Sequence, residues 1–279
     1  MAPLPSFDLV VATVDRVDAL GRLLASLSRQ THDRFRVLVV DQNEDDRLLP
    51  MLARHPGLEL VRLRSSRGLS RARNAAVEHL AADVVAFPDD DCEYPDDLLE
   101  LVGRRFAGRA ELDGVSVRAE SRDGCSSPSW ECEPATLDAA NLWNRGISFG
   151  IFLRRELVEG VGRFDEQLGL GAGTPWSSGE EIDFLIRAVA RGGRIEYDPS
   201  LVVLHEERSH SPDELRALGR RDGASVGYLL RRHRYPLRTK ALMLLRPLGG
   251  FVLSEARRDR ARAAFHLATL RGRLLGLRG

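Results

Sequence analysis

Three aspartates in succession, Asp89-Asp90-Asp91, follow an apolar, β-branched run at 83–87. Carboxylates on successive residues repel one another unless a cation neutralises them, and hard divalent ions prefer oxygen donors. A bound Mg²⁺ or Mn²⁺ would satisfy all three. The same acids also fit a solvated turn leading into a helix that begins near Pro95. A second acidic group, Gly179-Glu180-Glu181-Ile182-Asp183, opens a segment whose apolar residues Phe184, Leu185, Ile186 and Val189 recur at helical spacing. Glu180 and Asp183, three apart, share one helical face. A carboxylate there can take a proton from an attacking hydroxyl, although acids in a first turn also simply complement the helix dipole. The stretch 169–179 before it carries four glycines, Pro175 and Trp176. It reads as a mobile loop able to close over a ligand, with Trp176 offering a ring plane to a sugar. Trp130 can stack in the same way, whereas Trp143 reads as core. Cys92, beside the aspartates, reads as a passive small residue, and His205 as a hydrogen-bonding side chain at a strand end.

Such side chains act only if strands and helices bring them together. Apolar bursts at 9–14, 36–40, 58–63 and 83–87 alternate with helix-period segments at 18–29, 48–54 and 70–81, the pattern of a parallel sheet flanked by helices. In such a sheet ligands bind outside the carboxyl ends of the strands. Three of those ends are polar: 13–16, Asp41-Gln42-Asn43 and 89–91. Further on, strands are expected at 114–119, 147–153, 194–197 and 201–205, a long loop at 120–140, and a helix at 180–190 ended by Gly192-Gly193. Ser211-Pro212-Asp213-Glu214 carries the signals of a helix start, Ser as cap, Pro first and Glu three residues on. From there the chain reads as helical and basic.

Forty-one basic and forty-one acidic residues cancel, so nothing global argues for a nucleic-acid partner. The balance hides a split. Residues 212–279 carry sixteen basic and five acidic side chains, a net of +11, which leaves −11 for the rest. Three cysteines, Cys92, Cys125 and Cys132, have no metal or disulfide spacing, which fits a reducing cytoplasm. A signal peptide is unexpected, because residues 1–6 lack a basic region followed by an apolar run and the apolar stretch at 10–14 is too short. A membrane span is unexpected, because the apolar stretch at 241–253 is broken by Arg246, Pro247 and two glycines. It is able to touch a membrane surface without crossing it. The basic tail reads either as a solvated face or as a peripheral attachment to anionic lipid at the inner face of the plasma membrane.

Over residues 7–205 the chain resembles the family 2 inverting glycosyltransferases of the GT-A fold. The resemblance is carried by Val10–Arg16 (VVATVDR), LASLSRQT at 24–31, Val39-Val40-Asp41-Gln42-Asn43, GLSRARN at 68–74, FPDDD at 87–91, VGRFDE at 161–166, GEEID at 179–183 and the segment 199–205. It implies a Rossmann-like α/β fold, a mostly parallel central sheet flanked by helices, with a C-terminal helical extension. By position, it implies that Thr13, Asp15, Arg16 and Asp41 meet the nucleoside, and that Arg73, Asn74, Asp89 and Asp90 lie near the nucleotide. Asp91 with Asp89, and His205, would hold a divalent metal, Mn²⁺ or Mg²⁺. The base falls among Glu181, Glu180 and Asp183, with Glu181 favoured. Ala12 and Val14 stand where the family shows Pro and Tyr, which leaves the nucleobase open.

The expected activity is metal-dependent, inverting transfer of a sugar from a nucleotide donor, a UDP- or dTDP-sugar, to a glycan, lipid-linked or small-molecule hydroxyl in cell-envelope polysaccharide or glycolipid synthesis. The expected organisation is a nucleotide-sugar half at 1–110, an acceptor half at 111–210 and a basic helical extension at 211–279. Two other readings stand beside it. A sugar nucleotidyltransferase would need a glycine-rich basic loop after the first strand, which 11–16 lacks. A non-catalytic binding module would show no donor hydrolysis with Mn²⁺.

Overall fold

The computed structural model describes residues 3–121, 130–205 and 210–278. Cys125, Glu206 and Glu207 lie outside the described residues. Two compact units emerge, Met1–Phe164 with Phe184–Glu207, and Asp165–Asp183 with Arg208–Gly279. In chain order the first unit holds β1 (Phe7–Thr13), α1 (Val17–Leu27), β2 (Phe35–Asp41), α2 (Leu49–Leu52), β3 (Leu60–Arg64), α3 (Leu69–Val77) and β4 (Val84–Ala86). Then come β5 (Cys92–Glu93), α4 (Leu98–Gly108), β6 (Gly114–Glu120), β7 (Ala135–Thr136), β8 (Ile151–Arg154) and α5 (Arg155–Val161). Helix α6 (Glu180–Ala190) starts in the second unit and continues in the first, and β9 (Ile195–His205) follows it.

The strands are apolar on both faces because both faces are covered. Leu9, Val11, Val37, Val39, Val84 and Ala86 pack under α1 and α4. The alternate residues Val10, Leu38, Val40 and Val85 pack under α3, α5 and the Phe184–Ala190 part of α6. A side-chain period of two thus makes a three-layer sandwich. The sheet order is β3-β2-β1-β4-β8-β6-β9-β5, with β7 on β9. β1 to β4 are parallel to one another, as the alternation predicts. Beyond them the sheet is mixed: β8 runs antiparallel to both β4 and β6, while β6 and β9 are parallel. The chain moves outward from β1 through β2 to β3 and returns to the other side of β1 with β4. That reversal opens a crevice at the carboxyl ends of β1 and β4.

Three local features depart from the sequence expectation. The strand expected at 147–153 begins at Ile151, after one tight turn at Ser148–Gly150. A β-carbon on Gly150 would stand 2.8 Å from the Val117 carbonyl oxygen, so the turn lies against β6 backbone. The two short strands expected at 194–197 and 201–205 are one strand, β9, whose pairing with β6 shifts between Val117 and Arg118. Pro199, which has no N–H to give a ladder, sits in that shift. Asp198 holds it, accepting from the Ser200 N–H at 3.0 Å and from Arg105 at 2.8 Å. Helix α5 had no sequence signal of its own. It follows β8 without a break, and Val158 and Val161 are its buried residues.

The second unit contains α7 (Pro212–Arg232), α8 (Leu237–Ala256) and α9 (Arg260–Arg278). The predicted cap forms in full. Ser211 Oγ accepts from the Glu214 N–H at 3.3 Å, and Glu214 Oε2 accepts from the Ser211 N–H at 2.7 Å. Helices α7 and α9 approach backbone to backbone. A β-carbon at Gly219, Gly223 or Gly227 on α7, or at Gly272 or Gly276 on α9, would collide with carbonyls of the facing helix. Met243, Pro247 and Ser254 form the buried side of α8, and Arg273 of α9 donates to the Met243 carbonyl. Residues 165–183 belong to this unit through Trp176, stacked on Tyr228 at 5.0 Å, and Ser178, bonded to Ser225 Oγ at 3.0 Å.

Candidate active site

The crevice at the β1–β4 reversal collects acids and bases from four elements. Thr13, the last residue of β1, donates from Oγ1 to Asp90 Oδ2 at 2.7 Å. Arg16, three residues on, pairs with Asp90 at 2.8 Å and also with Asp91. His205, at the end of β9, places Nε2 3.4 Å from Asp91 Oδ1, and its ring lies flat on Phe149 with centroids 4.8 Å apart. Register explains its arrival, because His205 is the antiparallel partner of Cys92, next in chain to Asp91. Asp89 meets the guanidinium of Arg73 at 3.3 Å and accepts from Ser148 Oγ at 3.3 Å. Arg73 is almost fully buried, its guanidinium over the rings of Phe87 and Phe164 at 5.9 and 5.5 Å. A buried arginine must be paired, so Arg73 fixes Asp89 as much as Asp89 neutralises Arg73.

The acids of this crevice are not equivalent. Burial pushes the Asp90 carboxyl up to about 6, against the pull of Thr13 and Arg16. Burial acts upward on Asp91 as well, but the hydrogen bonds and charges of His205 and Arg16 override it and hold this carboxyl well below the usual carboxylate range. In return, the bond to Asp91 raises the His205 imidazole pKa against its own burial. Asp91 is therefore the persistent anion. Among the described residues no three His, Cys, Asp or Glu side chains are gathered so as to enclose a cation by themselves.

A second cluster lies along the ends of β1, β2 and β3, where Thr13, Asp41 and Arg64 are register partners. Asp41 is fully buried, accepts from the Asn43 N–H at 2.9 Å, and takes both Nε and Nη2 of Arg62, at 2.9 and 2.6 Å. Asn43 Oδ1 in turn accepts from the Asp15 N–H at 2.8 Å and holds Asp15 at φ 58°, a left-handed conformation that aspartate tolerates. The Asp15 carboxylate receives Arg47 at 2.6 Å and Arg67 at 2.8 Å. Gln42 carries the next link, since its Oε1 accepts from the N–H of Gly68, the φ 135° residue that starts α3. Asn74, on α3, brackets Phe164 with both ends of its amide, giving Nδ2 to the carbonyl at 3.0 Å and accepting the N–H at 2.7 Å.

In the second unit, Glu180, Glu181 and Asp183 form the acidic first turn of α6, and Gly179 before them adopts φ 81°. Glu180 and Asp183 are buried and Glu181 is part exposed. Asp183 Oδ1 meets His233 Nε2 at 2.8 Å and Arg232 Nε at 3.5 Å.

The sequence profile described as glycosyl transferase family 2 matches residues 8–157, more than half of the chain, from the second residue of β1 through the end of β8. The chain belongs to glycosyl transferase family 2. Among curated relatives, this family 2 glycosyltransferase is 25% identical over 249 residues to the uncharacterized glycosyltransferase YwdF of Bacillus subtilis, covering 86% of this chain and 89% of that protein. It is 25% identical over 227 residues to the pre-mycofactocin glycosyltransferase of Mycobacterium tuberculosis, covering 74% of this chain and 43% of the relative. The fold matches the mannosyltransferase PcManGT of Pyrobaculum calidifontis, solved with GDP-Man and Mn²⁺, with a TM-score of 0.70 at 16% identity over 99% of this chain and 88% of that one. It also matches residues 1–349 of TarS from S. aureus in complex with UDP-GlcNAc, with a TM-score of 0.64 at 17% identity, covering 95% of this chain and 90% of that one.

Several of the side chains that hold these acids had no sequence signal. Arg62 and Arg64 read as ordinary charges on a strand, and their role appears once β3 is in register with Asp41. Ser148 and Phe149 sit where a continuous strand was expected. His233 lies fifty residues from Asp183.

Proposed function

We propose that this chain transfers a glycosyl group from a nucleoside diphosphate sugar to an acceptor hydroxyl with inversion at the anomeric carbon. The observation that carries the reading is the Thr13, Arg16, Asp89, Asp90, Asp91 and His205 constellation at the carboxyl ends of β1 and β4. Support also comes from the nucleotide sugars in the PcManGT and TarS complexes. Asp91, with Asp89 and His205, would hold a divalent cation, Mn²⁺ or Mg²⁺. The donor set fits, because an ion shared with a diphosphate draws on one or two protein carboxylates and takes its other oxygens from phosphate and water. When bound, such an ion stabilises the negative charge left on the departing diphosphate.

The chain's own residues supply the rest. Arg16 brings a guanidinium to the aspartates, within reach of a phosphate, and Arg73 keeps Asp89 in place. Asp41, Asp15 and Thr13 form the nucleoside end, with Asn74 supporting the wall of the site through Phe164. Glu181 takes the proton of the acceptor hydroxyl. Asp183, which meets His233 and Arg232, acts as a positioning residue. Trp176, stacked on Tyr228, contributes a ring edge for the sugar.

Calorimetric titration with UDP-, dTDP- and GDP-sugars, with Mn²⁺ and with chelator, tests the donor half. Donor affinity is expected to require the cation and to vanish in Asp91→Ala; identical titrations of parent and variant would refute the metal role. Glu181→Gln is expected to retain donor affinity while transfer falls by about 10²- to 10⁴-fold, the usual contribution of a general base. Full turnover in that variant would assign the base elsewhere.

A further inference from the structure

Helix α8 is amphipathic in the inverted sense. A surface helix normally turns its apolar stripe inward. Here Met243, Pro247 and Ser254 face α9, while Leu245 (58% exposed), Val252 (59%) and Leu237 (82%) stand in solvent, joined by exposed Leu242, Leu248 and Leu253. Ala241, Leu245, Leu248 and Val252 follow the spacing i, i+4, i+7, i+11, so they form one continuous outer stripe rather than scattered side chains. Contiguous exposed apolar surface of this kind marks a surface that meets something.

The charges beside the stripe say what. Arg238, Lys240 and Arg246 lie on the same helix, and Arg257 and Arg258 follow directly at its end. Glu255 is the helix's acidic residue. A leucine-rich face with cationic flanks matches the boundary of a bilayer, where acyl chains meet anionic headgroups and long basic side chains reach outward to phosphate. A second copy of the chain would bring arginines of like sign together around the same stripe, which opposes self-association. Among the described residues no helix is long and apolar enough to cross a membrane.

We propose that the outer face of α8 docks on an anionic lipid bilayer, lying in the plane of the headgroups with Leu245, Leu248 and Val252 inserted. The inference is independent of the catalytic assignment, and its test reads no activity. The full chain is floated with vesicles of phosphatidylcholine alone and of phosphatidylcholine with phosphatidylglycerol, across a salt series. Binding is expected to the anionic vesicles alone, to weaken with salt, and to fall by about tenfold or more when the inserted face is made polar in Leu245→Asp with Val252→Asp. Leu245→Ser with Val252→Ser, which adds no charge, is expected to weaken it in the same direction. Far-UV circular dichroism and melting temperature confirm that both variants fold. Three outcomes overturn the proposal. They are absence of binding to either vesicle, binding that both apolar variants retain, and a dimer in sedimentation velocity that the variants dissociate while vesicles capture nothing.

Discussion

Asn74 commits both ends of its amide to the backbone of Phe164, ninety residues away. Removing such a side chain leaves a buried N–H and a buried carbonyl without partners, a loss of about 1–3 kcal/mol for each group. Asn74→Ala is therefore expected to lower the melting temperature by several degrees in the metal-free protein. An unchanged melting curve would show that water replaces both bonds. The residue type was legible in the Ala72-Arg73-Asn74 motif, but this partner was not, because nothing local marks position 164 as its complement. The aspartate triplet was legible for the opposite reason. Three adjacent like charges after an apolar strand are improbable without compensation, and the structure supplies it from Arg16, Arg73 and His205. The different fates of Asp90 and Asp91 were not readable, since depth and register decide them and composition does not.

Elements were read best where one period ran uninterrupted. Helix α6 occupies 180–190 as predicted, and β1 to β4 fall within a few residues of their expected positions. Where a strand carries a bulge, the pattern misleads, as at Asp198-Pro199-Ser200 inside β9. That bulge also gives a pH signature. Burial works against ionisation of Asp198, but the Ser200 and Arg105 bonds outweigh it and depress its folded pKa below the ordinary 3.8. A depressed carboxylate contributes stability above its unfolded pKa and loses it as pH falls through the folded one. Asp198→Asn is thus expected to melt below the parent at pH 7. The gap should narrow as pH drops from 3.8 toward the folded value. A constant gap down to pH 2 would mean that shape, not charge, holds the bulge.

At the scale of the whole molecule, zero net charge conceals a tail of +11. This asymmetry was visible in the composition, whereas the membership of 165–183 was not. That segment joins the C-terminal helices through Trp176–Tyr228, Ser178–Ser225 and Asp183–His233, contacts about fifty residues apart that no periodicity announces. The acids heading α6 therefore depend on side chains from a region that otherwise reads as a basic appendage. The tail's cationic side chains are all arginine except one. Lys240, near the start of α8, carries the chain's sole ε-amine. Among side chains, an amine-reactive, polarity-sensitive fluorophore consequently has its one target on the very helix that turns its leucines outward. Its emission should move to the blue when anionic vesicles are added and stay put with neutral ones, so the protein reports its own immersion without any engineered label.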